Sequence, residues 1–185
     1  MPNTTDTPEI QQSRTLIHTG KVIQTVQDEI LTAYGNPATR DVVLHPGGVC
    51  VLPILPNGDL LLIRQFRYPT GEFLWEFPAG KLDVEGEAPD VTAVRELWEE
   101  TGYESADWQD FGYIYTAPGF CDERIYLYIA KNCRLAEEAP PQVDDEAILT
   151  QVLNPQAFED LLRQGQVKDA KTLALWTHYI VGFKH

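Results

Sequence analysis

The chain has 185 residues, enough for one medium domain, and a make-up of 43% hydrophobic and 23% charged residues excludes wholesale disorder. Lys and Arg total 14 against 28 for Asp and Glu, a formal net charge of −14. That excess argues against binding to a nucleic-acid polymer, which calls for a basic surface, so a small anion would need a local cationic patch or a metal. In chain order, residues 1–13 read as a polar tail. Leu16–Ile23 and Glu29–Ala33 are candidates for an N-terminal hairpin or appendage, and Val42–Leu44 is a short β-branched run broken at His45–Gly48. Val49–Leu55 and Leu60–Phe66 are stronger strands, and Pro56-Asn57-Gly58-Asp59 between them predicts a hairpin. Phe73–Phe77 is a further strand stopped by Pro78, and Gly80–Glu87 is turn-like. A helix runs from Pro89 to Thr101, with Gly102 placed to end it. Phe111–Thr116 and Arg124–Ala130 read as strands around Pro118-Gly119, and Ala147–Leu153 as one more. Asn154 caps a helix opened by Pro155 and stopped at Gly165, and Asp169 caps another that ends near Gly182.

Strands, one central helix, more strands and then two helices make an α+β domain, layered as an α/β/α sandwich. No Gly-x-Gly-x-x-Gly or Gly-Lys-Ser/Thr phosphate loop is present. Cys50, Cys121 and Cys133 make no secreted disulfide framework, so a reducing cytoplasm is the expected location. No apolar run of about 18 residues predicts a membrane span. Residues 1–41 read as an N-terminal tail and strands, a possible dimerisation element, and 42–185 as the main domain.

The informative helix is Pro89–Thr101. At 100° per residue, Val91, Val94, Leu97, Trp98 and Thr101 share one face, and Glu96, Glu99 and Glu100 share the other. The apolar face is expected to pack beneath a sheet. Carboxylates three and four apart lie about 5–6 Å apart at Cβ and repel one another. Either the acidic face is simply solvated, or a divalent cation converts the repulsion into coordination by hard oxygen ligands.

Gly80, Glu87 and Arg95-Glu96-Leu97-Trp98-Glu99-Glu100-Thr101-Gly102-Tyr103 together resemble the Nudix box. One departure is that six residues, not five, separate Gly80 from Glu87; the extra residue falls in a loop. The resemblance implies a Nudix fold with a central catalytic loop-helix-loop and metal-dependent hydrolysis of a phosphoanhydride. It implies Glu96 and Glu100 as principal Mg²⁺ ligands, Glu99 beside them and the Ala79 carbonyl as a further oxygen. Two or three ions are implied, with Mn²⁺ able to substitute. Glu87 and Arg95 are implied as an orienting ion pair.

Features outside the box resemble the ADP-ribose pyrophosphatase branch. Trp75-Glu76-Phe77-Pro78-Ala79-Gly80 leads into the box, and Pro118 falls 16 residues beyond Gly102, within Ala117–Glu123. Gly165-Gln166-Val167-Lys168-Asp169-Ala170-Lys171-Thr172 resembles the branch's C-terminal signature. The branch implies substrate contacts from Arg67 and Arg64 to phosphate, from Glu76 to adenine or ribose, and from Trp75, Phe120 and Glu123. For each the plainer alternative stands: surface ion pairs for the arginines, core packing for Trp75, a hydrophobic anchor for Phe120, a loop acid for Glu123. Glu146, in Val143-Asp144-Asp145-Glu146, is the candidate general base, with Asp144, Asp145 or a box carboxylate such as Glu99 as alternatives. The reaction implied is ADP-ribose and water giving AMP and ribose 5-phosphate. The alternatives are a pyrophosphatase for another nucleoside-diphosphate sugar, such as GDP-mannose, and a regulatory nucleotide-binding module. The branch also implies a homodimer.

Overall fold

The computed structural model describes residues 7–140 and 147–182. Its elements begin with β1 (Ile10–Thr19), β2 (Gln24–Leu31), β3 (Pro37–Leu44), β4 (Gly48–Pro53), β5 (Leu60–Arg67), β6 (Glu72–Glu76) and β7 (Ala79–Lys81). Helix α1 (Pro89–Thr101) precedes β8 (Tyr103–Glu104), β9 (Asp107–Tyr115), β10 (Arg124–Lys131), β11 (Arg134–Leu135) and β12 (Ile148–Leu153). Helices α2 (Pro155–Arg163) and α3 (Ala170–Val181) follow. The chain divides into two compact units, one of Met1–Pro46 and Tyr115–Arg124, the other of Gly47–Ile114 and Ile125–His185.

The first unit carries the antiparallel sheet β1-β2-β3. Val26, Asp28 and Ile30 point to the buried side of β2, whereas all ten residues of β1 are exposed. Arg14 on β1 grips the buried Asp28 through Nε and Nη2, each at 2.7 Å. The expected N-terminal hairpin is thus a three-stranded sheet, whose first strand reaches back to Ile10, inside the segment read as a tail. Backbone pairing needs no apolar pattern, so a polar strand such as Ile10–Thr19 leaves no period-2 trace.

In the second unit β4 is buried along its whole length. A strand without alternation must be covered on both faces. Cys50 and Leu52 face one core with Leu62, Leu127, Ile129, Phe77, Phe158, Leu175 and Trp176. Val49 and Val51 face the other, with Leu61, Ala93, Leu97 and Tyr128. Helices α2 and α3 contribute to the first core and α1 to the second, which makes the α/β/α layering. The strands form sheets β7-β4-β10-β9, β12-β5-β6 and β11-β8, with β4 and β10 parallel and β4 antiparallel to β7.

The Asn57-Gly58 turn forms, closed by Leu55 N–H to Asp59 O at 2.8 Å, with Gly58 at φ 88°. Its flanking strands do not make the expected hairpin. Their pairing is limited to the bridge Ile54–Leu60, and the strands then join separate sheets. β4 takes β10 and β7 as neighbours, and β5 takes β12 and β6, because these placements bury both faces of β4 and the apolar run of β5.

Candidate active site

Helix α1 starts with Pro89 at its first position and ends at Gly102, whose φ of 75° lets its N–H close onto the Trp98 carbonyl at 2.7 Å. Its buried residues are Thr92, Ala93 and Leu97, and Glu96, Glu99 and Glu100 are half-buried. Val91 and Val94 are 53% and 46% exposed. The expected apolar face is therefore only partly the packed one. The helix is rotated so that its Glu96–Glu100 edge turns inward beside Ala93 and Leu97.

The reason lies at β7. Glu100 accepts a hydrogen bond from the Ala79 amide at 2.9 Å. The Glu96 carboxyl packs against Gly80 so closely that a β-carbon on that glycine would lie 1.9 Å from the Glu96 carboxyl carbon. Backbone pairing of Ala79 with Cys50 and Gly80 with Val49 fixes this strap to the buried strand. The extra residue between Gly80 and Glu87 is absorbed in the loop after Lys81.

Arg95 binds three acids at once. Its Nη2 donates to Glu87 at 2.9 Å, and its Nη1 donates to Glu96 at 2.9 Å and Glu99 at 2.8 Å. Thr92, fully buried, donates to Glu87 at 2.7 Å. The Arg95 and Thr92 bonds hold the Glu87 carboxyl below the usual glutamate range. Burial pushes Glu96 the other way, above that range, although Arg95 opposes the shift. Among the described residues no three acid, imidazole or thiolate groups converge as a metal cage; Glu96 and Glu99 instead share the Arg95 cation.

A second charged cluster lies at the other end of the strap. Glu76 is fully buried and accepts from Arg67 Nε and Nη2, each at 2.7 Å, and from Lys171. Burial alone would raise the Glu76 pKa, but the two cations hold it below its ordinary value. Lys171 also donates to Asp169 at 2.9 Å. Glu76, expected to meet a nucleoside, has its carboxylate engaged by this chain's own cations, and two Arg67 nitrogens are committed to it.

The remaining expected residues fall in different surroundings. Arg64 stacks over the Phe73 and Trp75 rings, 5.3 and 5.5 Å from their centroids, beside a recess of about 260 Å³ lined by Arg64, Phe73 and Ala147–Leu149. Trp75 also packs on the first core. Phe120 and Glu123 belong to the first unit. Phe120 is 59% exposed, and Glu123 accepts from Thr116 and lies 3.2 Å from His45 Nδ1. Glu146, with Asp144 and Asp145, lies outside the described residues. Sequence reasoning missed Thr92 and the engagement of Lys171 with Glu76. A threonine inside the helix after Glu87 carries no distinctive signal, whereas the Asp-x-Lys-Thr run was visible without its partner.

The NUDIX domain pattern matches residues 44–176. The ADP-ribose pyrophosphatase of Bacillus subtilis (strain 168) is 36% identical over 156 residues, 84% of this chain and 84% of that protein. The methanol dehydrogenase activator of Bacillus methanolicus is 36% identical over 158 residues, 85% of this chain and 84% of that one. A crystal structure of an ADP compounds hydrolase shares the fold, with a TM-score of 0.79 and 18% identity over 94% of this chain and 95% of that one. The family pattern, the relatives and the box together place this chain in the NUDIX domain family.

Proposed function

We propose that this protein is a Mg²⁺-dependent pyrophosphatase that hydrolyses ADP-ribose to AMP and ribose 5-phosphate. The observation that carries the reading is the gathering of Glu87, Glu96 and Glu99 around Arg95, with Glu96 and Glu100 against the Ala79-Gly80 strap. The name of the Bacillus subtilis relative supports the substrate.

The donor chemistry suits a hard divalent cation: half-buried carboxylate oxygens along one helix edge, and a glycine that makes room for Glu96. Glu96, Glu100, Glu99 and the Ala79 carbonyl would hold two or three Mg²⁺ ions, with Mn²⁺ able to replace them. Mg²⁺, when bound, would offset the diphosphate charge, polarise its oxygens and acidify a water. Arg95 keeps Glu87, Glu96 and Glu99 oriented. Arg67, braced by Glu76, and Arg64, braced by two rings, bind phosphate oxygens. Trp75 adds a further substrate contact, and Glu76 acts by holding Arg67. Glu146 takes the proton of the attacking water, with Asp144, Asp145 or Glu99 as alternatives. The water oxygen bonds to one phosphorus, the bond to the bridging oxygen breaks, and the departing phosphate keeps the electron pair.

The test is initial rates with Mg²⁺ on ADP-ribose, GDP-mannose, ADP-glucose and diadenosine polyphosphates, with products identified. A dominant kcat/KM for ADP-ribose yielding AMP is expected. A preference for GDP-mannose would overturn the substrate, and no turnover with Mg²⁺ or Mn²⁺ would favour a binding module. The same reading makes the protein a cytoplasmic homodimer. Ten exposed β1 residues, Ile10, Leu16 and Ile17 among them, supply a surface for the second copy. A monomer by light scattering at working concentration would sink the dimer. Among the described residues no helix is long and apolar enough to cross a membrane.

A further inference from the structure

We propose that the first turn of α3 is a positioning element for the box, acting through the Thr172 hydroxyl on the strap that carries Ala79 and Gly80. The inference rests on reading the box as the catalytic site. Thr172 is fully buried. Its Oγ1 donates to Asp169 at 2.6 Å and accepts the Phe77 amide at 2.9 Å, across 95 positions of sequence. A hydroxyl can do both at once; a methyl can do neither. Asp169 is itself the helix cap, accepting from the Thr172 amide at 2.9 Å. Its other oxygen accepts from Lys171, which reaches Glu76, the residue before Phe77.

Two consecutive α3 residues, Lys171 and Thr172, both held by Asp169, thus grip two consecutive strap residues, Glu76 and Phe77. Two positions further along, the Ala79 amide donates to Glu100, and at Gly80 the strap meets Glu96. The strap is pinned by α3 at one end and by α1 at the other, with Pro78 accepting from the Val51 amide between them at 2.9 Å. A slip of Phe77 moves Ala79, and Ala79 moves relative to the two glutamates. The geometry makes α3 the far support of the acidic edge, acting through the strap.

The test compares Thr172→Val, which keeps the shape and removes both bonds, with Thr172→Ser, which keeps the hydroxyl. Ile129→Ala in β10, within the core that α3 shares, serves as a control that lowers stability without removing either bond. The readouts are Mn²⁺ affinity of the metal-free protein, amide exchange of Phe77 and Ala79 by NMR, and the Mg²⁺ concentration for half-maximal rate. Thr172→Val is expected to weaken Mn²⁺ binding about tenfold, the usual scale for losing an orienting partner, and to speed exchange at Ala79 as well as Phe77. Thr172→Ser restores both, and Ile129→Ala leaves both unchanged. A loss of stability with unaltered Mn²⁺ affinity and Ala79 protection would overturn the proposal. If the wild type hydrolyses none of the substrates above, the functional reading fails, while Mn²⁺ affinity and amide exchange still decide this inference.

Discussion

Glu96 lies where a side chain on Gly80 would have to be, because the carboxyl carbon stands 1.9 Å from the β-carbon that any other residue would carry. The glycine of the box therefore serves a close approach between strand and helix. Its backbone φ lies outside the left-handed region, so conformational freedom is not the reason for it.

Gly80→Ala is expected to push Glu96 off the strap. Overpacking of this kind costs about 1–3 kcal/mol, and displacement of the carboxylate adds a loss of activity of about 10²-fold. Urea unfolding and rates at saturating Mg²⁺ check both. Wild-type rates with an unchanged midpoint would refute the contact.

Glu96→Gln and Glu100→Gln are expected to lower the Mg²⁺-supported rate by about 10²-fold or more, equivalent to about 3 kcal/mol of transition-state stabilisation. The sign for stability differs from the sign for activity. Burial raises the folded-state pKa of Glu96 above its unfolded value, so the native state binds more protons, and stability falls as pH rises through that interval. Metal-free Glu96→Gln should therefore be no less stable than wild type at pH 7. A large drop in its melting temperature would contradict the burial argument.

Glu76 behaves in the opposite sense. Arg67 and Lys171 depress its folded-state pKa, so its stabilisation is present above the unfolded value, about 4.3, and is lost as pH falls through the lower folded value. Glu76→Gln leaves Arg67 without its counter-charge and Lys171 with Asp169 alone, and should cost about 3 kcal/mol at pH 7, the lower end for breaking a buried pair since Arg67 is 34% exposed. The variant should also flatten the acid limb of stability below about pH 4, which urea midpoints across pH would reveal.

Asn154 and Asp169 are both helix caps, yet they should differ. The Asn154 side chain accepts the Ala157 amide at 2.8 Å, so Asn154→Ala should cost about 1 kcal/mol with activity intact. Asp169 also binds Lys171 and the Thr172 hydroxyl, so Asp169→Ala should cost more and reduce activity. Equal effects by thermal melting and rate assay would mean that α3 is simply capped.

The sequence by itself determined what is local. Pro89 and Gly102 bound α1 as expected, and Asn154-Pro155 and Asp169 open α2 and α3, because a missing N–H, an accessible left-handed φ and a capping oxygen act within one turn of chain. The glutamate spacing within α1 was equally legible, since 100° per residue is a property of the helix alone. Only the tertiary structure decided which edge of that helix turns inward. Val91 and Val94 looked like core and are exposed; Glu96 and Glu100, expected to face water or a cleft, pack on Gly80 and Ala79. The divergence of β4 and β5 after a correctly read Asn57-Gly58 turn, and the meeting of Thr172 with Phe77 and Lys171 with Glu76, have the same origin. Burying both faces of β4 and neutralising charges beside it are demands that residues far apart in sequence satisfy jointly, so no window of the sequence contains them.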